Sequence, residues 1–262
     1  MTPKFVDIHS HIHWKDFDAD REKIIEQMTL EGILTIAVGT DLQSSKDAVV
    51  TAEKYRPVFA CIGQHPSEKN VFDDDGFEKL VVNSKTVAIG ECGLDYFRLE
   101  GESSEEKKKQ KELFIKQIEF SLKHNKPLMI HCRDAYNDTL EILESYAKEG
   151  KLRGNAHFFA GSIIEAKRFL KIDFTLSFTG VITFTNDYNE VIQYAPLSNI
   201  LSETDAPFVA PIPFRGKRNE PPFVVYVAKK IADIRKADEE DILPALVENA
   251  RRQFNLAEVI SL

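Results

Sequence analysis

Val6-Asp7-Ile8-His9-Ser10-His11, residues 6–11, follows Phe5 and joins a short apolar run to two imidazoles at positions i and i+2. On a β-strand, side chains two apart point to the same face, so His9 and His11 can converge on one point. Two neutral imidazoles so placed suit a zinc-like or other transition metal. They equally suit the polar end of an ordinary first strand, and the motif alone leaves both readings open. The rest of the chain decides between them.

Downstream, short β-type runs alternate with amphipathic helical segments. The candidate strands are Lys4–His9, Leu34–Val38, Val58–Ile62, Val87–Glu91, Leu128–His131, Gly154–Phe158, Phe174–Ser177 and Asn199–Ser202. A helix is expected from about Ser104 to His124, with Ser103 and Glu106 as a capping box. Leu113, Phe114, Ile118, Ser121 and Leu122 form its apolar face, and the run Glu105-Glu106-Lys107-Lys108-Lys109 lies on its solvated face. Asp134 is the expected cap of the next helix, which buries Leu140, Leu143 and Tyr146-Ala147 and ends before Gly150. A last helix is expected from Glu239 to Phe254. Such alternation implies parallel βαβ units. Eight repeats in 262 residues favour a single closed (β/α)8 TIM-type barrel over an open doubly wound sheet. With no linker, repeat array or low-complexity tract, residues 1–262 are expected to form one domain.

Composition fits this picture. Hydrophobic residues at 43% and charged residues at 29% describe a globular chain with a full core. No run of apolar residues is long enough to span a membrane, and Met1-Thr2-Pro3-Lys4 leads straight into a strand without a signal-peptide core. Cys61, Cys92 and Cys132 lie in or beside apolar runs without zinc-type spacing. They read as buried free thiols of a cytoplasmic protein. The net charge of −8 argues against charge-driven binding along a duplex, but not against an enzyme that meets phosphates at a local cationic site.

In a (β/α)8 barrel the active site forms at the C-terminal strand ends. His9 and His11, His65, Glu91, His131, His157 and Asp205 all fall at or just beyond predicted strand ends. Buried together without a cation, Glu91 and Asp205 would repel each other and be costly to desolvate. A pair of divalent cations removes both problems.

The blocks V-D-I-H-S-H (6–11), I-G-Q-H-P (62–66), A-I-G-E-C-G-L-D-Y (88–96), I-H-C-R-D-A (130–135), S-E-T-D-A-P (202–207) and R-G-K-R-N-E-P (215–221) together resemble the TatD family of metal-dependent deoxyribonucleases. The resemblance implies a (β/α)8 barrel that hydrolyses DNA, often as a 3′→5′ exonuclease, with magnesium or a similar divalent ion. By position it implies that His9, His11, Glu91 and Asp205 hold one metal, and that Glu91 bridges to a second held also by His131 and His157. One departure is visible: the block H-F-F-A-G places Ala160 where the family usually has Ser or Thr before the glycine.

On this reading Asp205 is both metal ligand and proton acceptor for the attacking water, with Glu203 in support and Glu91 between the metals. His65 is expected near a phosphate oxygen. Arg133 and the loop cations Arg215, Lys217 and Arg218 are expected to contact phosphates. Tyr96 and Phe97 are candidates to stack on a terminal base. The expected partner is nucleic acid, single-stranded DNA ends above all with RNA left open, and neither a membrane nor an obligate protein partner is expected. Imidazole-rich ligation also suits manganese or zinc. The alternative is amide or ester hydrolysis as in the wider superfamily, aminoacyl-tRNA deacylation included. Many such sites bridge their metals with a carboxylated lysine, where this chain has Glu91.

Overall fold

The structure, a computed structural model, describes residues 3–97, 99, 104–148 and 150–256. Strands β1 (Phe5–Ser10), β2 (Ile33–Val38), β3 (Val58–Ile62), β4 (Thr86–Asp95), β5 (Leu128–Arg133), β6 (Gly154–Ala156), β7 (Thr175–Phe178) and β8 (Ile200–Ser202) pair in parallel in sequence order. Between them run α1 (Arg21–Glu31), α2 (Leu42–Lys54), α3 (Asp74–Val81), α4 (Ser104–His124), α5 (Tyr136–Ala147), α6 (Ile163–Lys171) and α7 (Asn189–Tyr194); α8 (Val224–Arg235) and α9 (Glu239–Phe254) follow. The barrel closes between its first and last strands. Asp205 N–H donates to His9 O (2.9 Å) and His11 N–H to Ala206 O (2.7 Å). The expected (β/α)8 barrel is the observed fold. Among the described residues, no helix is long and apolar enough to cross a membrane.

Apolar side chains sort into two layers. Ile33, Ala37, Ala60, Ile62, Ile89 and Ile130 face outward onto the helices, packed with Ile24, Met28, Ala48, Phe114 and Leu140. Val6, Ile8, Leu34, Ile36, Phe59 and Met129 fill the interior, joined by Val247, Ala250 and Phe254 of α9. That α9 helix has the span expected from the sequence.

Strict alternation is broken where it matters. The β1–β2 register shifts between Asp7 and Ser10, and the β4–β5 register shifts between Ile89 and Cys92. Such bulges re-aim side chains. Ile8 and His9, neighbours in sequence, consequently both face inward. Plain alternation groups Asp7 with His9 and His11; instead Asp7 turns away and accepts from Thr204 N–H (2.8 Å), Thr204 Oγ1–H (2.8 Å) and Thr35 Oγ1–H (3.1 Å). It ties β1 to β2 and to the segment that follows β8.

Two glycines let β4 lie close against β5. Gly93 has φ +139°, and a Cβ there would sit 2.0 Å from His131 O; at Gly90, with φ +154°, it would meet Met129 O at 2.5 Å. Of the expected strand bounds only those of β3 are unchanged; β1, β2 and β8 differ by one residue at one or both ends, and four others bear on the site or its surroundings. β4 runs on to Asp95 and β5 to Arg133, β6 stops at Ala156, so that His157 lies just past it, and β7 is shifted one residue to Thr175–Phe178. Asp134 does not cap α5: it adopts φ 53°, and Ala135 is the N-cap with no side-chain bond. On α4 the buried face includes Phe114, Ile118 and Ser121 as expected, and also Gln110 and Gln117; the Ser103 cap lies outside the described residues. Cys61 and Cys92 are buried free thiols, whereas Cys132 is only partly buried.

Candidate metal centre

His9 and His11 leave the end of β1, Glu91 lies within β4, His131 within β5, His157 follows β6 and Asp205 follows β8. The structure brings all six together. His9 Nε2 lies 3.5 Å from Glu91 Oε2 and 3.8 Å from Asp205 Oδ1, and His11 Nε2 lies 3.6 Å from Asp205 Oδ1. On the other side of Glu91, its Oε1 is 2.8 Å from His131 Nδ1 and 3.7 Å from His157 Nε2. One atom each from His9, His11 and Glu91 lies within 4.8 Å of the others, and the same holds for His9, His157 and Asp205 and for Glu91, His131 and His157.

The chemistry of this set fits cations. Both ring nitrogens of His9 are buried without a hydrogen-bond partner, although Nε2 is aimed between two carboxylates. Ligands about 2.1 Å from one metal stand roughly 3–3.5 Å apart, close to the 2.8–3.8 Å separations found here. Three other imidazoles turn their far nitrogen toward a carbonyl or carboxylate oxygen. His11 Nδ1–H donates to Val38 O (2.8 Å), so its Nε2 carries the lone pair. His131 Nε2 lies 2.9 Å from Asp95 Oδ2, and His157 Nδ1 lies 3.1 Å from Glu203 Oε1. Carboxylate or carbonyl partners of this kind set the tautomer and orientation of a metal-binding histidine.

Two of these supports differ from the sequence reading. Glu203, expected to assist Asp205, instead serves His157; it is fully buried and also accepts from Phe158 N–H (2.6 Å) and Ser177 Oγ–H (2.9 Å). Asp95 was missed. Its only signal in the sequence was its place in the G-L-D-Y block, four residues after Glu91 and so on the same face of a strand that continues.

Electrostatically the pocket is built for positive charge. Burial alone would raise both carboxyls, but His131 and His9 hold Glu91 well below its usual range, and His11, His157 and His9 hold Asp205 below its own. Burial works against charge on His131 and His157 as well, yet the surrounding carboxylates push each up to about 9.

His65 stands beside this set, its Nε2 3.7 Å from Glu91 Oε1. Ser67 N–H donates to His65 Nδ1 (3.1 Å), so the proton of the neutral ring sits on Nε2, and burial pushes the ring's pKa down to about 4. Atoms of His65, Asp95 and His131 also lie within 4.8 Å of one another. In that group His131 Nε2 is engaged by Asp95 Oδ2 (2.9 Å) and His65 Nδ1 by Ser67 N–H (3.1 Å).

The expected substrate contacts separate into two kinds. Arg133, Arg215 and Lys217 are exposed near the mouth. Arg218 is instead held by Asp20 (2.6 Å) and Glu220 (2.9 Å), anchoring its loop to the segment before α1. Tyr96 is likewise engaged, its hydroxyl donating to Asp138 (2.8 Å), so Phe97 rather than Tyr96 is presented at the rim. Ala160 donates its N–H to Tyr136 Oη (3.0 Å).

Comparison with known proteins agrees with this geometry. The sequence profile of the family described as TatD related DNase matches residues 6–255. An uncharacterized metal-dependent hydrolase of Bacillus subtilis, YabD, is 38% identical over 256 residues, covering 95% of this chain and 98% of its own. Another from Escherichia coli K12, YcfH, is 33% identical over 261 residues, covering 96% of each. The crystal structure of the Escherichia coli TatD homologue YJJV superposes with a TM-score of 0.86 at 27% identity, covering 97% of this chain and 99% of that one. The chain is therefore a metal-dependent hydrolase belonging to the TatD-related DNase family.

Proposed function

We propose that the chain hydrolyses phosphodiester bonds of DNA, removing nucleotides from the 3′ ends of single strands with two divalent cations, magnesium by family resemblance and manganese or zinc by ligand chemistry. The observation that carries this reading is the convergence of four imidazoles and two carboxylates on one barrel mouth, with three of the imidazoles facing a carbonyl or carboxylate oxygen through their far nitrogen. His9, His11, Glu91 and Asp205 would hold one cation, and Glu91, His131 and His157 the other. When bound, such a pair supplies the acidity that ionises a water and the charge that offsets the oxygens of an in-line displacement at phosphorus.

The protein's own groups do the rest. Asp205, kept ionised, accepts the proton of the attacking water. Glu203 and Asp95 hold His157 and His131 in register and so act as positioning residues. His65 presents an Nε2–H that donates to a non-bridging phosphoryl oxygen, and Arg133, Arg215 and Lys217 meet the flanking phosphates. Cytoplasm is the proposed compartment, on its free thiols.

The test is a time course on 3′-labelled and 5′-labelled single-stranded DNA, with chelator and then with Mg²⁺, Mn²⁺ or Zn²⁺, beside Glu91→Ala. Stepwise loss of 3′ nucleotides that requires both metal and Glu91 is expected. A folded, metal-loaded protein that cleaves no DNA would sink the reading and move it to an ester or amide substrate.

A further inference from the structure

Two arginines at the barrel mouth are stacked on exposed phenylalanines. The Arg133 guanidinium lies 3.5 Å from the centre of the Phe97 ring, and that of Arg215 lies 3.8 Å from the centre of Phe184. Phe97 is 52% exposed and Phe184 39% exposed. Among the described residues neither arginine has a carboxylate partner, in contrast to Arg218, Arg168 and Arg21, which are all ion-paired. Stacking fixes the plane of a guanidinium while leaving its N–H donors free, which is the form that grips phosphate oxygens.

Their placement is not scattered. Arg133 is paired with Asp95 across β4 and β5, and it lies two residues beyond His131 on the same strand face. Phe97 stands two residues beyond Asp95. The other pair joins the loops after β7 and β8, which are tied by Ile212 N–H donating to Thr183 Oγ1 (2.9 Å). In the closed eight-stranded ring the first pair stands at β4 and β5 and the second after β7 and β8, three strands apart on the same mouth, with His157 after β6 between them. On the β8 side, Trp14 stacks on His11 with centroids 4.0 Å apart, and the half-exposed Phe208 lies edge-on to it at 6.0 Å.

We propose that the two pairs, Arg133–Phe97 and Arg215–Phe184, clamp one unpaired nucleic-acid strand laid across the mouth, with Trp14 and Phe208 as a third stacking position beside His11. The occupant is a single strand because only unpaired bases offer faces to isolated exposed rings, while the guanidinium beside each ring takes the neighbouring phosphate. A duplex would keep its base faces covered, and the chain's net charge of −8 gives no extended electrostatic track for one. The inference rests on the nuclease reading and names the path of its substrate.

The experiment measures binding of the metal-loaded protein to three probes, all phosphorothioate-linked to resist hydrolysis: a dT oligomer, an abasic-spacer oligomer of the same length and charge, and a duplex. Phe97→Ala and Phe184→Ala are each expected to weaken dT binding about tenfold, within the stacking range for one base. Phe97→Tyr and Phe184→Tyr are expected to restore it. The abasic oligomer should bind wild type more weakly and lose nothing further in the alanine variants. Trp14 is the chain's one tryptophan, so its emission should be quenched by the dT oligomer and not by the abasic one. Thermal melts establish that each variant is folded. If wild type degrades single-stranded DNA but the variants bind dT as it does, or the duplex binds as tightly as the single strand, the clamp is overturned and the nuclease reading stands. If wild type neither binds nor cleaves any strand, both fall.

Discussion

Glu203 and Asp95 show how little of a metal site is its ligands. Each faces the far nitrogen of an imidazole, and together with Glu91 they push His157 and His131 up to about 9 against the opposing effect of burial. Glu203→Gln keeps the shape and removes the charge. It is expected to lower affinity for the second cation by about 10–100-fold, measured by titration calorimetry, and to bring His157 down in an NMR titration of metal-free protein. Unchanged affinity would assign Glu203 a packing role alone. The pH dependence has a definite sign. For a histidine raised in the folded state, the stabilisation is fully present below the unfolded value near 6.5 and is lost as pH rises through about 9. The metal-free protein should therefore lose stability between pH 6.5 and 9. Metal affinity should rise across the same window, since a cation must displace those protons. Calorimetry in two buffers of different ionisation heat would count the protons released; none released at pH 7 would contradict the assignment.

Among the elements, α4 and β4 do the positioning. Gln110 and Gln117 are seven residues apart on α4 and both are buried. Gln110 accepts from Asp95 N–H and donates to Asp95 O, each at 2.8 Å; Gln117 does the same for Gln64, next to His65, also at 2.8 Å. An outer helix thus fixes the backbone under two site residues. Replacing either glutamine by leucine orphans two buried backbone groups, and a loss of about 2–4 kcal/mol is expected in urea unfolding. A loss under 1 kcal/mol would mean that other groups fill in. Gly93→Ala is expected to be worse, because the new Cβ would overlap His131 O and the backbone is in a region that L residues rarely adopt. It should fail to fold or fail to hold the second cation, as read by metal content after gel filtration. These roles were not legible in the sequence: a glutamine on a helix reads as a solvated polar residue until the fold shows what it faces.

For the whole molecule, the candidate ligands come from β1, β4 and β5 and from the segments after β6 and β8, so on the proposed function bound cations would join distant parts of the ring. Free metal at a hundredfold over Kd stabilises by about 2.7 kcal/mol. In a chain of this size that corresponds to roughly 5–10 °C in Tm. Chelation is expected to lower the melting temperature by that amount, and re-addition of the working ion to restore it. A melt indifferent to chelator would place the cations outside the native structure.

Sequence alone determined the barrel and its ring of candidate ligands. Apolar runs alternating with amphipathic helices leave few other ways to bury both, and strand ends are where histidines and carboxylates were spaced. The six candidate ligand positions were legible because each follows or ends an apolar run. Tertiary structure decided the rest. The shifts in β1 and β4 aimed His9 and Glu91 inward and turned Asp7 away, which no period of two could show. It assigned Glu203 to His157, tied Arg218 into an ion pair, and left Arg133 and Arg215 free on their phenyl rings. Side-chain partnership depends on which loops and strands meet across the barrel, and separations of 40 residues for His131 and Glu91, or 198 for Arg218 and Asp20, carry no local signal for it.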